Sequence, residues 1–434
     1  MATINRKATI INSKTHEGAP ATIPNADEQL RRSIMACMLW EDNFYEDGET
    51  IGDRIKKLIP HVKQEKLEEI ARQAKYDQKI RHAPIYMAVC MAACGKLKAK
   101  LLSDMIRRPD ELAETLALYW KDGKTPIAKQ VKLGLADAFK KFDEYQLAKW
   151  NRGDEIKLRD VLFLCHAKPK DKEQEALWKR LIDNTLTTPD TWEVELSASK
   201  DKKSSWSRLL SEKKLGSQAL LMNIRNILES GIEKSVLSSY LKETNFSKIL
   251  PFQFINAARY NPSFESETEE VMLKAFVQME KLDGRTAILV DVSGSMDEKL
   301  STRGELLRTD AACGLAMVAR EKYSDVHIFS FSRNLVEIPV RHGFALRDAI
   351  LSSQEHSSTM LGASLNYLNN RGFDRIIVIT DEQSHDQVSA RKGNYIVNVG
   401  TNDRGVAYGQ AIHINGWSEK VLDYIQAYER SNHV

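Results

Sequence analysis

The spacing of apolar residues changes once along this chain of 434 residues, near residues 281–285. Before that point apolar residues recur at helical spacing, and strand signals are almost absent. After it, short β-branched runs such as 286–290 and 376–380 alternate with helical segments. Because strands that alternate with helices are typical of a parallel sheet, the sequence predicts a helical domain over 25–280 and a doubly wound α/β domain over 284–434.

The helical part consists of many short segments joined by short loops. Residues 84–95 predict a fully buried helix, with proline in its first turn and glycine at its end. Further helices are predicted over 109–120, 127–142, 145–150, 158–166, 172–184, 201–212, 218–230 and 232–243. No coiled-coil heptad is present, so these segments favour a stacked, HEAT-like helical-repeat array. Residues 1–24 are predicted to be a flexible leader.

Five oxygen-bearing side chains in the α/β part predict one metal site: Asp291, Ser293, Ser295, Thr359 and Asp381. Asp291 follows one apolar run and Asp381 follows another. Both therefore fall at the carboxyl ends of predicted strands, where ligands of doubly wound sheets bind. Hydroxyl and carboxylate oxygens are ligands that a hard divalent cation prefers, and Mg²⁺ usually keeps waters as well. The alternative is that these residues only cap helices, as Ser and Asp commonly do.

Composition excludes some classes of protein. Charged residues make up 28% and hydrophobic residues 42% of the chain, which is ordinary for a soluble protein, and no apolar run is long enough to span a membrane. We therefore expect a cytoplasmic location. The five cysteines are few and odd in number, which favours reduced thiols. Cys90 and Cys94 lie one helical turn apart, but no second pair completes a zinc site.

The α/β part resembles the von Willebrand factor A domain and its metal-ion-dependent adhesion site. The residues that carry the resemblance are the DxSxS string of 291–295, followed in order by Thr359 and the strand-end Asp381. The resemblance implies that the serines and the threonine ligate the cation directly, and that the carboxylates do so directly or through water. Such domains bind partners and rarely catalyse reactions.

The helical part resembles the TROVE module of the Ro autoantigen family. The matches occur in the family's order: KWNR at 149–152, LRDVLFLCHAKP at 158–169 and PFQF at 251–254. They are preceded by NFY at 43–45 and followed by NDRG at 402–405. The order of helical module and then type A domain is also that of Ro proteins, so the resemblance spans nearly the whole chain.

This second resemblance implies a fold and a function. In the Ro family the helical repeats form a ring that the type A domain closes. Small structured noncoding (Y) RNAs bind the outer surface, and 3′ ends of misfolded RNAs enter the central hole. The matching positions for the structured RNA are Lys149, Arg152 and His166. Phe163 stands where the family often has a basic residue.

The resulting expectation is a non-catalytic, monomeric RNA-binding protein in RNA quality control, which could tether an exoribonuclease such as polynucleotide phosphorylase. Arg and Lys supply phosphate contacts, and structured RNA is read mainly by shape. Lys129, Lys132, Lys140 and Lys141 could add to that surface, or belong to a solvated helix face. His166 could equally be a core histidine. The alternative function is a metal-dependent protein-binding module on a helical scaffold, and an enzyme has little support because Walker A and GxSxG motifs are absent.

Overall fold

The computed structural model describes residues 13–35, 48–151, 155–247, 249–277, 281–300 and 305–432. Its contacts divide the chain into two compact units. One is Asp53–Tyr240, and the other combines Met1–Gly52 with Leu241–Val434. We refer to them as the helical unit and the sheet unit. None of the described helices combines the length and the hydropathy that crossing a lipid bilayer requires.

Part of the predicted flexible leader is packed into the sheet unit. Strands β1 (Ser13–Lys14) and β2 (Pro20–Ala21) pair antiparallel, and helix α1 (Ala26–Met35) follows. The Thr15 hydroxyl donates to the carbonyl oxygen of Ser384 at 2.6 Å, and Ala19 is buried. The prediction is therefore wrong for residues 13–24, because long-range contacts that local composition does not reveal hold this segment.

The helical unit contains short helices, and each of the nine helices predicted above is found with ends that differ by at most three residues. Its helices, together with the two that cross its limits, are α2 (Gly48–Leu58), α3 (Gln64–Arg72), α4 (Ala83–Ala93), α5 (Ala99–Met105), α6 (Asp110–Tyr119), α7 (Lys129–Phe139), α8 (Glu144–Trp150), α9 (Leu158–Cys165), α10 (Lys172–Ile182), α11 (Trp192–Ala198), α12 (Lys202–Ser211), α13 (Ser217–Glu229) and α14 (Lys234–Glu243). Helices close in sequence pack on one another, as α5 does on α7 and α7 on α9. This arrangement is the expected stacked helical array.

Helix α4 lies at the centre of this packing. Its residues from Ala83 to Met91 are buried, and Gly95 follows with a φ of 72°. A helix that is apolar on all sides must be covered on all sides, and α4 contacts α3, α5, α6 and α7. The predicted proline start and glycine end are confirmed, and burial is confirmed from Ala83 to Met91, whereas Ala93 at the end of the helix is exposed.

The sheet unit continues with α15 (Pro251–Tyr260), α16 (Glu265–Val277), β3 (Leu282–Asp291), α17 (Arg308–Lys322), β4 (Tyr323–Phe331), β5 (Leu335–Glu337), α18 (Gly343–Leu351), α19 (Leu361–Asn369), β6 (Arg375–Thr380), β7 (Asn394–Asn398), β8 (Ile412–Asn415) and α20 (Lys420–Asn432). Helices α15 and α16 pack on α17, which itself contacts β3 and β4. Residues 241–277 therefore group with the sheet, although the sequence pattern assigned them to the helical domain.

Among the described residues the main sheet has six strands in the order β5-β4-β3-β6-β7-β8. All neighbouring pairs are parallel except β4 and the short edge strand β5. The chain leaves β3 for β4 on one side and later returns to β6 on the other, so the order reverses between β3 and β6. This reversal places a ligand-binding crevice at the carboxyl ends of these two strands.

The sheet and its helices enclose an apolar core. One cluster of buried side chains joins β3, β4, β6 and β7 with α19: Ala287, Leu289, Phe329, Phe331, Leu361, Leu365, Leu368, Phe373, Ile376, Val378, Val388, Ile396 and Val406. Burial on both faces explains why β3 and β6 read as continuous apolar runs rather than alternating ones. The core therefore holds the ends of both strands in fixed positions.

Candidate functional site

The first part of the predicted metal site is the loop after β3. Asp291 ends that strand and is fully buried. Its Oδ1 accepts a hydrogen bond from the Ser293 backbone N–H at 2.9 Å, and its Oδ2 accepts one from the Thr380 hydroxyl at 2.5 Å. These bonds fix the loop so that the hydroxyl oxygens of Ser293 and Ser295 lie 3.4 Å apart. The structure therefore brings the two serines together beside the carboxylate.

The second part is Asp381, which directly follows β6 and is also fully buried. Its Oδ1 accepts from the Gln383 backbone N–H at 3.1 Å, whereas its buried Oδ2 accepts no hydrogen bond. Burial and the nearby charge of Asp381 raise the pKa of the Asp291 carboxyl. Two buried carboxylates this close repel each other, so this crevice favours a positive charge.

The third part is the loop that carries Thr359, which is 2% exposed. Its carbonyl oxygen accepts from the His385 backbone N–H at 2.9 Å, and its own N–H donates to His385 Nδ1 at 3.0 Å. In the same loop, the Ser357 carbonyl oxygen accepts a hydrogen bond from the Gly294 N–H at 3.2 Å. Backbone contacts thus tie the threonine loop to the serine loop on one side and to the segment after Asp381 on the other.

One buried cation near this site was not predicted from the sequence. Arg308 begins α17 and is 3% exposed. Its Nη1 lies 3.7 Å from Asp381 Oδ2 and donates to the Ser295 carbonyl oxygen at 3.5 Å. A basic residue at the start of an otherwise buried helix was the available signal. Arg308 supplies one positive charge to the crevice, beyond hydrogen-bond distance of the aspartate.

The side chains fit a hard divalent cation. No group of three or more His, Cys, Asp and Glu side chains in the described parts of the chain could hold a metal ion, so the carboxylates here need the hydroxyls as fellow ligands. Asp291, Ser293, Ser295, Thr359 and Asp381 provide that mixed oxygen set, and one buried carboxylate oxygen has no other hydrogen-bond partner. Cys90 and Cys94 are both free thiols.

A second buried charge network lies next to the crevice, and the sequence did not reveal it. Arg32 of α1 is fully buried and donates to Glu382 Oε1 at 2.6 Å. It also donates to the Asn402 and Arg404 carbonyl oxygens, at 2.8 and 2.9 Å. Burial would raise the pKa of Glu382, but the charges of Arg32 and His413 lower it to about 2. The loop at 402–405 is therefore held by a distant helix.

The predicted RNA-binding residues occupy the helical unit. Lys149 lies in the last turn of α8 with its Nζ 5.8 Å from the Trp150 ring, and it lines an open cavity of about 630 Å³ together with Thr191 and Val194. Arg108 lies over the same Trp150 ring at 4.5 Å. Arg152 lies outside the described residues. Lys149 lies in the last turn of α8, and His166 directly follows α9.

His166 is an exposed surface residue that follows α9. It has a left-handed backbone with a φ of 51°, and its N–H donates to the Phe163 carbonyl oxygen at 3.2 Å. The alternative that it is a core histidine is therefore wrong. Glycine is favoured at such a helix end, and a histidine costs backbone strain there. An exposed imidazole on a residue with a strained backbone is consistent with a binding role.

The four lysines near α7 do not form a single surface. The Lys141 ammonium donates to the carbonyl oxygens of Ser103 and Ile106 at the end of α5, so it serves as a helix cap. Lys129 is exposed, whereas Lys132 and Lys140 are half-buried. The solvated-face alternative therefore applies to part of this set, and Lys141 is removed from it.

Comparisons with known proteins agree with this geometry. A family model described as the TROVE domain matches residues 179–307, which include Asp291, Ser293 and Ser295. Over 78 residues, 17% of this chain, the sequence is 38% identical to "Telomerase protein component 1" of Mus musculus, and the chain spans 3% of that protein's length.

The fold is similar to that of a solved Ro structure. The crystal structure of the Deinococcus radiodurans Ro (RSR) protein superimposes with a TM-score of 0.61, covering 91% of this chain and 97% of that chain, at 16% sequence identity. At this identity the likeness shows the fold: a helical array and a von Willebrand factor A-like α/β domain. The chain therefore contains a stretch similar to the TROVE domain and has a fold similar to that of a Ro protein.

Proposed function

We propose that this chain is a non-catalytic RNA-binding protein of the Ro type. It would bind small structured, Y-like RNA on the outside of its helical array. It would bind 3′ ends of misfolded RNA in the central hole of the ring that the family resemblance implies, as part of RNA quality control. The observation that carries the proposal is the TROVE match in a chain with the Ro fold.

The chemistry of the helical unit supports an RNA partner. Exposed His166 and the half-buried Lys149 can contact phosphates, and Arg108 and Trp150 add a cation and an aromatic ring near Lys149. Structured RNA is recognised through shape and backbone contacts, so cations at separate places on the surface suffice. Lys149 and His166 precede the stretch that the TROVE model matches, so their role rests on the resemblance of 149–169.

In the sheet unit, Asp291, Ser293, Ser295, Thr359 and Asp381 would hold a divalent cation, and Mg²⁺ suits their oxygen ligands. When bound, the cation would supply an open coordination position for an acidic group of a partner. The Ser293 hydroxyl faces another hydroxyl, that of Ser295, rather than a general base, which supports a binding role. The partner would be an exoribonuclease such as polynucleotide phosphorylase, with this chain monomeric and cytoplasmic.

The same cluster favours a second function: a metal-dependent adhesion module whose helical part is only a scaffold. The two functions are separated by sequencing the RNA that co-purifies at low salt with the wild type and with a Lys149→Ala/His166→Ala double variant. RNA binding predicts discrete small RNAs on the wild type that are depleted on the variant. The adhesion module predicts no enriched RNA on either protein.

A further inference from the structure

Helix α9 carries a large aromatic side chain on its solvent side. Phe163 is 59% exposed, whereas the opposite face of α9 is buried through Leu158, Val161, Leu162 and Cys165. Single exposed apolar residues are common on protein surfaces and need no explanation. The neighbours of Phe163 are what distinguish it.

Cations stand on both sides of Phe163 along the exposed face. Arg159 is one helical turn earlier, about 6 Å along the axis, and is itself exposed. His166 follows one turn later, where its N–H is bonded to the Phe163 carbonyl oxygen. Arg159 and Phe163 are residues i and i+4 and share a helix face, and His166 directly follows the same helix, so a basic residue stands on each side of Phe163 along the chain.

The acidic groups of this region have partners within the chain. Asp160 Oδ1 lies 3.9 Å from Arg159 Nε, and Asp171 Oδ2 lies 3.9 Å from Lys170 Nζ. Asp160 Oδ2 accepts from the Lys157 N–H at 2.9 Å, and Asp171 Oδ1 accepts from the Gln174 N–H at 2.7 Å. Both carboxylates therefore accept hydrogen bonds from backbone N–H groups at the start of a helix, where negative charge is favoured. Exposed Lys168 lies between them in sequence. The surface around Phe163 is thus complementary to an anionic partner.

Tyr367 of the sheet unit provides a matched control. It is 49% exposed, close to the value for Phe163, and lies on α19. The Arg371 guanidinium lies 4.3 Å from the centre of its ring, so a cation accompanies this ring as well. None of the residues proposed to contact RNA belongs to the sheet unit.

We propose that Phe163 is a stacking platform for an unpaired base of the bound RNA, with Arg159 and His166 contacting the flanking phosphates. This inference rests on the proposed function and deepens it, because it assigns a single-stranded loop or bulge as the part of the RNA that α9 reads. Aromatic side chains stack bases without sequence preference, and each stacked base contributes about 1–3 kcal/mol.

The test measures the Kd of the full chain for a synthetic hairpin RNA with a single-stranded loop, and for the same hairpin with abasic loop nucleotides. Phe163→Ala is expected to weaken binding of the intact hairpin by about 5- to 150-fold, with an unchanged slope of log Kd against log salt. Phe163→Tyr should retain affinity, and Phe163→Leu should lose it, since leucine is apolar but has no π face. Binding of the abasic hairpin should not depend on residue 163.

Tyr367→Ala should leave both affinities unchanged, and thermal melting of each variant checks folding. Stacking is overturned if Phe163→Ala or Phe163→Leu binds the intact hairpin as the wild type does, or if the loss is as large on the abasic hairpin. If those results occur while Lys149→Ala/His166→Ala lowers affinity, only the stacking inference fails. If the wild type binds neither hairpin at low salt, the proposed function fails with it.

Discussion

The buried guanidinium of Arg32 offers the sharpest test of how the sheet unit is held together. Its side chain donates to Glu382, to the Tyr408 hydroxyl, and to the carbonyl oxygens of Asn402 and Arg404. The Arg32 and Glu382 side chains are both 0% exposed. The Arg32→Ala substitution would therefore leave a buried carboxylate without its main counter-charge and two carbonyl groups without their donor.

The expected loss follows from these contacts. Breaking a buried ion pair by removing one partner costs about 3–5 kcal/mol, because the remaining charge stays desolvated. For a unit of roughly 150–250 residues each kcal/mol lowers the melting temperature by about 2–4 °C, so Arg32→Ala should melt about 6–20 °C earlier. The Arg32→Met/Glu382→Leu double variant removes both charges and should recover much of the loss.

The assay is urea unfolding at neutral pH of the wild type, both single variants and the double variant. Lys66→Ala is the matched control, because its ion pair with Glu69 is about half exposed and should contribute less than about 0.5 kcal/mol. A loss below about 1 kcal/mol for Arg32→Ala, or a double variant as unstable as the sum of the singles, would show that Arg32 and Glu382 are not energetically coupled.

Three further outcomes are expected. Burial raises the pKa of Cys165 to about 12, so this thiol should resist dithionitrobenzoate in the folded protein at about pH 8, whereas exposed Cys94 should react. Gly134→Ala should cost about 1–2 kcal/mol in urea unfolding, because its added Cβ would lie 2.8 Å from a carbonyl oxygen of α5. Gly216→Ala meets no atom within 4 Å and should be nearly neutral. Asp381→Ala should abolish Mg²⁺ binding in calorimetry, and an unchanged affinity would refute the assigned ligand set.

Local patterns were sufficient to predict most of the secondary structure. Helix α9 was expected over 158–166 and is Leu158–Cys165, because its apolar spacing and the polar residues at its ends act locally. The two strand ends that carry Asp291 and Asp381 were predicted for the same reason. Buried parallel strands give short continuous apolar runs, and their carboxyl ends meet at one edge of the sheet.

The contacts that the sequence did not predict are long-range ones. Thr15 bonds to Ser384 across 369 residues and Arg32 bonds to Glu382 across 350, so neither partner carries a local signal. Arg308 and Asp381 are also far apart in sequence, and their approach depends on the packing of α17 against the loop that follows β3. Apolar spacing alone does not predict the exposure of Phe163, because an aromatic residue in an apolar run normally indicates a core position.

The proposal that this chain binds structured RNA through phosphate contacts is tested most directly by one titration. The measurement is the Kd of the wild type and of Lys149→Ala for the hairpin RNA across a range of KCl concentrations. The expected result is a linear fall of log affinity with log salt, with a slope smaller by about one for Lys149→Ala. Binding that is absent at the lowest salt, or that does not change with salt, would contradict the proposal.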